Sequence, residues 1–152
     1  MTPAGVVRLR EDVHVHAAPQ AVQQRILDLA TYDEWLAPQF RDFRADDEGW
    51  SFTLVLPGRT EQGRVRRGGV EAGAVTFVRD ADGAVDGLTW AMHTESPREV
   101  HLTLEYAYVP AGGLVGNVLE MTVHRPQRVQ ALRDWLWRLK QILEGRTADG
   151  VR

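Results

Sequence analysis

The sequence predicts an α+β fold in which a long C-terminal helix covers one face of an antiparallel sheet. Two observations carry this prediction. Apolar and polar residues alternate in several short segments, and turn residues such as Gly, Pro and Asp separate these segments. In the C-terminal part of the chain the apolar residues recur with the period of a helix instead. Because the connections are short, neighbouring strands should be antiparallel. The expected order along the chain is strand, one or two helices, five to six strands and a final helix.

The N-terminal part predicts one strand followed by helical structure. Apolar and polar residues alternate over Val7–Ala17, which is typical of a half-buried strand. Pro19 suits the first turn of a helix, since the N–H that it lacks would have no partner there. A second short helix or turn is expected over Thr31–Pro38, which contains Tyr32 and Trp35.

The middle of the chain predicts a series of short strands joined by tight connections. The clearest connection is the polar loop Asp46–Gly49, which is typical of a hairpin. The strand boundaries are weakest between Thr60 and Arg79. The predicted segments are Phe40–Arg44, Trp50–Leu56, Thr60–Arg67, Ala74–Arg79, Leu88–Thr94 and Arg98–Val109.

The C-terminal segment Leu114–Glu144 is amphipathic, and its second half gives the strongest helix signal in the chain. The apolar stripe there consists of Leu132, Trp135, Leu136, Leu139, Ile142 and Leu143. Pro126 lies inside the segment, cannot donate to the carbonyl of Thr122, and crowds that turn. We therefore expect the helix to bend at Pro126 or to divide there into two.

Composition narrows the class of protein. The chain has 152 residues, 43% hydrophobic residues and no cysteine, which predicts one domain over residues 1–152 with a frayed tail from about residue 145. The absence of cysteine excludes thiol chemistry and favours a reducing, cytoplasmic location. A net charge of -3 argues against nucleic-acid binding, and no apolar run predicts membrane insertion. We expect a monomer or a weak homodimer.

Four segments spread over nearly the whole chain carry a family resemblance. They are Val13–Val22, Tyr32–Leu36, Leu102–Tyr106, and Gly116–Leu143 with its His124-Arg125-Pro126. In these segments the chain resembles the polyketide cyclase/dehydrase branch of the START-like (SRPBCC) superfamily. The resemblance implies a helix-grip fold, in which a curved antiparallel sheet of six to seven strands wraps around the long C-terminal helix and encloses a cavity. It implies no particular reaction, because the family includes cyclases, hormone receptors and lipid carriers.

Strand register predicts which side chains would line such a cavity. The apolar register of each strand should face the helix, and the hydroxyls of Tyr106, Tyr108 and Thr122 could orient a ligand oxygen. Arg79 at a strand end could anchor an acid group, or could extend into solvent. Alternatively, the aromatic residues fill the core and leave no cavity. The predicted ligand-binding residues are Trp35, Phe52, Leu54, Phe77, Arg79, Trp90, Met92, Leu104, Tyr106, Tyr108 and Thr122.

Four of the five histidines fall out of the apolar register and should point away from the helix. In the implied fold the first strand pairs with the last, so His14, His16 and His101 could cluster on the outer face, with His93 one strand further. An isolated His-x-His is usually incidental, and the sequence shows no carboxylate partner for it. We therefore expect no metal and no cofactor. His124, beside the proline, is expected to be solvated or to cap the helix.

Three functions are consistent with the sequence. The first is binding of a small apolar, aromatic or lipid-like molecule between sheet and helix. The second is a polyketide aromatase/cyclase-type activity, with Tyr106, Tyr108, Arg79 or His124 as proton donors or acceptors, although no residue is assigned as catalytic. The third is a protein-interaction module, since Trp137 lies away from the apolar stripe.

Overall fold

Within residues 5–71, 73–110 and 112–145, which the computed structural model of the protein describes, seven antiparallel strands form one sheet. The strands are β1 (Val7–Val15), β2 (Phe40–Ala45), β3 (Gly49–Leu56), β4 (Arg59–Glu71), β5 (Ala74–Arg79), β6 (Val85–Ser96) and β7 (Glu99–Tyr108). Their spatial order is β1-β7-β6-β5-β4-β3-β2. The first strand therefore pairs with the last, as the resemblance implied.

The strand predictions are confirmed, with two clear differences in length. β6 spans Val85–Ser96, whereas the pattern predicted Leu88–Thr94. β4 continues past Arg67 to Glu71, whereas the alternation predicted an end at Arg67. The register between β4 and β5 shifts between Arg67 and Val70, where Gly68 and Gly69 lie. An irregularity of this kind interrupts the alternation of side chains, so the pattern signals an end where the strand continues.

The helices occur in two groups. α1 (Pro19–Leu27) and a short 3-10 helix (Leu29–Glu34) follow β1, and Pro19 lies in the first turn as predicted. After β7 come α2 (Gly113–Leu119), a π-helical turn (Glu120–His124) and α3 (Arg125–Leu143). The frayed tail predicted at the C-terminus lies mostly outside the described residues.

The helix neither divides nor unwinds at Pro126. Leu119, Glu120, His124 and Arg125 all keep right-handed helical dihedral angles, so α2, the π turn and α3 form one helical path. The proline ring would clash with the carbonyl of Thr122 in a regular helix. A π turn placed just before the proline inserts one extra residue, which is a common accommodation at such positions.

An aromatic cluster fills the space between the sheet and the C-terminal half of α3. Trp135 lies at its centre, with ring centroids 5.0 Å from Trp90, 5.7 Å from Trp35 and 5.8 Å from Trp50. All four indoles are fully buried. Trp135 meets Trp90 and Trp50 at interplanar angles of 81° and 80°, the edge-to-face arrangement that aromatic rings favour.

In the described part of the chain, side chains fill the space between sheet and helix in which a cavity was expected. The strand residues predicted to line it do face the helix, but their side chains pack against one another and against Trp135. A void beside Tyr106, Arg128 and Leu132 has no room for a water molecule. The alternative in which the aromatic residues fill the core is the one observed, because periodicity determines the direction of side chains and not the volume left between them.

Candidate functional site

The inward face of the C-terminal helical path changes character along its length. Residues at a spacing of four turn towards the sheet, and the first three of them are Glu120, His124 and Arg128. The same row continues with Leu132 and Leu136. Polar groups thus occupy the half of the helix nearest to α2, and apolar groups occupy the other half.

Glu61 on β4 meets the polar half of this row from the sheet. Its carboxylate accepts two hydrogen bonds from Arg128, at 2.5 Å from Nη1 and 2.7 Å from Nη2, and both side chains are almost fully buried. Arg59 adds a third contact at 2.6 Å. Burial acts to raise the pKa of Glu61, but the hydrogen bonds and charges of Arg128 and Arg59 outweigh it and hold that pKa below its usual value.

Tyr108 and Glu120 complete what we call the buried polar cluster, which consists of Glu61, Tyr108, Glu120 and Arg128. The Tyr108 hydroxyl donates to Glu120, and the Arg128 guanidinium lies 4.0 Å from the centre of the Tyr108 ring. Burial, together with the hydrogen bond to Glu120, raises the pKa of Tyr108 to about 12. The phenol therefore remains a proton donor at neutral pH.

Two atoms of the cluster are buried without a hydrogen-bond partner. They are Oε1 of Glu120 and Nε of Arg128, which lie 3.5 Å from each other. One is an acceptor and the other is a donor. A hydroxyl group can serve both, because it donates one hydrogen bond and accepts others. The two atoms face each other as an ion pair, and together they match the donor and acceptor of a hydroxyl group.

An exposed apolar surface adjoins the cluster. Helix α2 has no buried residue. We call its apolar side chains, together with that of Met121, the apolar ridge. Leu114 is 82% exposed, Val115 73% and Met121 66%. The remaining members of the ridge are Val118 and Leu119. Since α2 continues directly into Glu120, the ridge borders the buried polar cluster.

The glycines that precede α2 leave its start unhindered. Gly113 has a φ of +83°, and a Cβ atom built on it or on Gly112 would meet no other atom within 4 Å. Glycine adopts this left-handed conformation without strain. No described neighbour therefore crowds the side of these two glycines on which a Cβ atom would stand.

Most of the residues predicted to bind a ligand lie on the inner face. The buried ones are Trp35, Phe52, Leu54, Phe77, Trp90, Leu104, Tyr106 and Tyr108. Met92 is partly buried and packs against the same core. Burial raises the pKa of Tyr106, whose ring also borders the void beside Arg128. Whether any of these residues contacts a ligand stays a prediction.

Two of the predicted ligand-binding residues are exposed, and for Arg79 this is the alternative of extension into solvent that the sequence left open. Arg79 is exposed and donates to the carbonyl oxygens of Ala81 and Gly83, because β5 ends at this residue and the guanidinium closes the turn that follows. Thr122 is also exposed, and its hydroxyl donates to the carbonyl of Val118 at 2.7 Å. It lies in the π turn, where the extra residue changes which side chains face the sheet.

Sequence reasoning missed the buried polar cluster. His124 is 6% exposed, contacts the carbonyl oxygen of Pro57 at 3.1 Å and makes no side-chain capping hydrogen bond. The expectation of a solvated or helix-capping side chain is therefore wrong. A signal existed, because Glu120, His124 and Arg128 lie in four-residue register with Leu132. Glu61 likewise shares the inward register of Val65 on β4. The apolar pattern alone does not reveal these polar residues.

The outer face of the sheet carries the other histidines, as predicted. His14, His16 and His93 are exposed, and His101 is partly exposed. The expectation that no carboxylate accompanies them is wrong, since Asp12 lies 2.8 Å from His101. The alternation along the strand hid this contact, because Asp12 and His101 belong to different strands.

Comparison with solved structures identifies the class of fold. The Zhui aromatase/cyclase from a Streptomyces species has a TM-score of 0.68 at 17% identity, covering 96% of this chain and 99% of that chain. TTHA0849 from Thermus thermophilus has a TM-score of 0.76 at 15% identity, covering 91% and 98%. A START superfamily protein from Mycobacterium smegmatis has a TM-score of 0.60 at 14% identity, covering 93% and 97%.

The chain therefore shares the helix-grip fold of these solved structures, among them an aromatase/cyclase and a START superfamily protein, as the sequence resemblance implied. No family model matches the sequence, and no curated protein matches it significantly. At these identities the likeness defines the fold and neither a ligand nor a reaction. Within the described ranges, no helix is both long enough and apolar enough to cross a membrane.

Proposed function

We propose that the protein binds a small apolar or aromatic, lipid-like molecule that carries a hydroxyl group. The site is the place where α2 borders the buried polar cluster. The observation that carries the proposal is the apolar ridge, a helical surface whose large side chains have no covering partner among the described residues.

The ridge needs an apolar partner for a physical reason. α2 is the first part of the helical path and buries none of its residues, whereas most helical stability in proteins comes from packing of an apolar face. Full burial of a Val or Leu side chain contributes about 1.5–3 kcal/mol. Covering Leu114, Val115 and Val118 would therefore stabilise both the helix and the molecule that covers them.

The buried polar cluster makes a small molecule the favoured partner. Oε1 of Glu120 and Nε of Arg128 offer one acceptor and one donor to a group that reaches the interior. A small ligand with one hydroxyl can fill these positions while its apolar body lies against the ridge. Because the interior is packed, the ligand has to displace α2, and the glycines at the start of that helix permit this movement.

A catalytic function of the aromatase/cyclase type is the second candidate. One observation favours it, namely the hydrogen-bonded pair of Tyr108 and Glu120 at the same site. A phenol with a raised pKa can donate a proton to a developing enolate, and the neighbouring carboxylate can accept one. Under this proposal Tyr108→Phe removes turnover of a poly-β-ketone substrate and leaves its binding nearly unchanged.

The binding proposal is tested by titration with the fluorescent apolar probe 1-anilinonaphthalene-8-sulfonate. We expect saturable binding of one probe per chain, and loss of that binding in the variant Leu114→Ser with Val118→Ser. The matched control is Trp137→Ala, which removes an exposed apolar side chain from α3 and should leave the titration unchanged.

Sedimentation velocity on the same samples tests the third candidate function, a protein-interaction module. A protein-interaction module would form a dimer that the ridge variant dissolves, with no saturable probe binding by the monomer. That result, or equal probe binding by the ridge variant and the wild type, would contradict the proposed function.

A further inference from the structure

The face of the sheet that points away from α3 carries a row of histidines across three neighbouring strands. His14 on β1 pairs with His101 on β7, and His93 on β6 pairs with His101 from the other side. Residues directly opposite each other on adjacent strands have Cβ atoms about 4.5–5.5 Å apart and share a face. The register thus brings three imidazoles together.

A carboxylate joins two of these imidazoles at a distance close to that of a metal site. Potential ligand atoms of His14, Glu95 and His101 all lie within 4.8 Å of one another. Nδ1 of His101 lies 3.9 Å from Oε1 of Glu95, and the rings of His14 and His101 are 4.5 Å apart. In a tetrahedral zinc site, bonds of about 2.0–2.2 Å place the ligand atoms roughly 3.3 Å apart. Small rotations of these accessible side chains bring them to that distance.

The second ring nitrogen of His101 contacts a carboxylate, which is the usual arrangement in metal-binding histidines. Nε2 lies 2.8 Å from Oδ2 of Asp12, so a proton shared with this carboxylate resides on Nε2. Nδ1, on the side of Glu95, then carries the free lone pair. A carboxylate behind the ring fixes the tautomer and makes the imidazole a stronger ligand. Glu99 lies 3.7 Å from Nδ1 of His14, beyond hydrogen-bond distance, and adds negative charge beside that ring.

We propose that His14, Glu95 and His101 bind Zn²⁺ or a chemically similar first-row transition-metal ion. Two imidazole nitrogens and one carboxylate oxygen suit zinc, whereas Mg²⁺ and Ca²⁺ prefer oxygen ligands alone. His93, whose Nε2 lies 3.9 Å from Oε2 of Glu95, borders the site without belonging to the ligand set. The carboxylates of Asp12 and Glu95 add the negative charge that a dication requires.

The site is open to solvent on one side. A groove of about 240 Å³ runs beside the histidine row and is lined in part by Asp12, His93 and His101. A coordination position that the protein does not fill can therefore take a water molecule, as in open zinc sites. This site lies on the opposite face of the sheet from the buried polar cluster, and its existence does not depend on the proposed ligand.

The test is isothermal titration calorimetry of the full, tag-free chain with Zn²⁺ at about pH 7.5. We expect one ion per chain, and at least tenfold weaker binding in His14→Ala and His101→Ala. Asp12→Asn, which acts on the metal through His101, should weaken binding about 10–100-fold. The matched control is His16→Ala, an exposed histidine of the same strand region outside the ligand set.

Histidine ring NMR spectra supply the second measurement. Zn²⁺ should shift the rings of His14 and His101 and leave that of buried His124 in place. Circular dichroism checks that each variant is folded, which we expect because the substituted side chains are accessible. The proposal is overturned by wild-type protein without saturable binding, by single-histidine variants that bind as tightly as wild type, or by an equal loss in His16→Ala.

Discussion

The two halves of the C-terminal helical path meet the same sheet with opposite chemistry. Towards the C-terminus, Trp135 packs among three other indoles with no charged group between them. Towards α2, Glu120 and Arg128 occupy the equivalent inward positions and form ion pairs beneath an uncovered helix. The first half follows the rule that apolar side chains face the core, and the second half breaks it.

The difference indicates where stability and function reside. Replacing a buried ion pair by apolar residues of similar size is often neutral or stabilising, so such a pair is weak evidence for a structural role. Positions that break a local rule without a gain in stability are typically functional sites. The aromatic half is therefore the anchor of the fold, and the polar half is the region that we expect to open to a ligand.

Removal of the central indole should have the largest effect. Trp135→Ala leaves a large void among Trp35, Trp50 and Trp90, and we expect the free energy of unfolding to fall by about 3–5 kcal/mol. Denaturant unfolding measures the change. Trp137→Ala, on the exposed side of the same helix, serves as the control and should cost far less. A small loss in Trp135→Ala would show that the aromatic half is not the anchor.

Breaking the buried ion pair should have the second-largest effect on the free energy of unfolding. Arg128→Leu leaves the carboxylate of Glu61 buried without its main partner and removes one ion-pair contact of Glu120. Removal of one partner from a buried pair costs about 3–5 kcal/mol. We expect a value near the lower end, because Arg59 and Arg125 still contact these carboxylates. Adding Glu61→Gln to Arg128→Leu should restore part of the loss. If Glu61→Gln instead adds to it, the two residues are not coupled.

Acid should reduce the contribution of the polar half to the free energy of unfolding, by less than the loss of Arg128 does. The pKa of Glu61 is lowered in the folded protein, so its contribution to stability is present above its unfolded value of 4.5 and is lost as the pH falls through the folded value. The free energy of unfolding of Glu61→Gln should therefore depend less steeply on pH in the acid range than that of wild type. Parallel pH profiles for the two proteins would contradict this assignment.

Substitution on the apolar ridge should have the smallest effect on stability. Leu114→Ser changes a side chain that is 82% exposed, and exposed substitutions usually stay within about 0.5 kcal/mol. Thermal unfolding of the ligand-free protein measures this. A loss of several kcal/mol would mean that the ridge is covered in solution, for example by a second copy of the chain, and sedimentation velocity would then show the dimer.

Much of the fold could be predicted because it follows from periodicity. Alternation gave the strands, Pro19 marked the start of α1, and the apolar stripe from Leu132 to Leu143 gave α3. The single-domain organisation, the cytoplasmic location, the oligomeric state and the absence of nucleic-acid binding stay predictions.

The candidate site could not be predicted in the same way. Glu61 and Arg128 lie 67 positions apart in sequence, and each alone resembles an ordinary surface charge. Only the tertiary register places them opposite each other in the interior. The π turn before Pro126 likewise determines that Glu120 faces inward and Thr122 outward, a change that a regular helical period does not describe.

The most direct test of the proposed function is the position of a bound apolar molecule. An isotope-filtered NOE spectrum of the protein saturated with 1-anilinonaphthalene-8-sulfonate reports which methyl groups lie against it. We predict NOEs from the probe to Val118 on the ridge and also to Ala131 and Leu132 beside Arg128, because the molecule should lie between α2 and the buried polar cluster. NOEs to ridge methyl groups alone would show that the interior stays closed, and would contradict a ligand site within the fold.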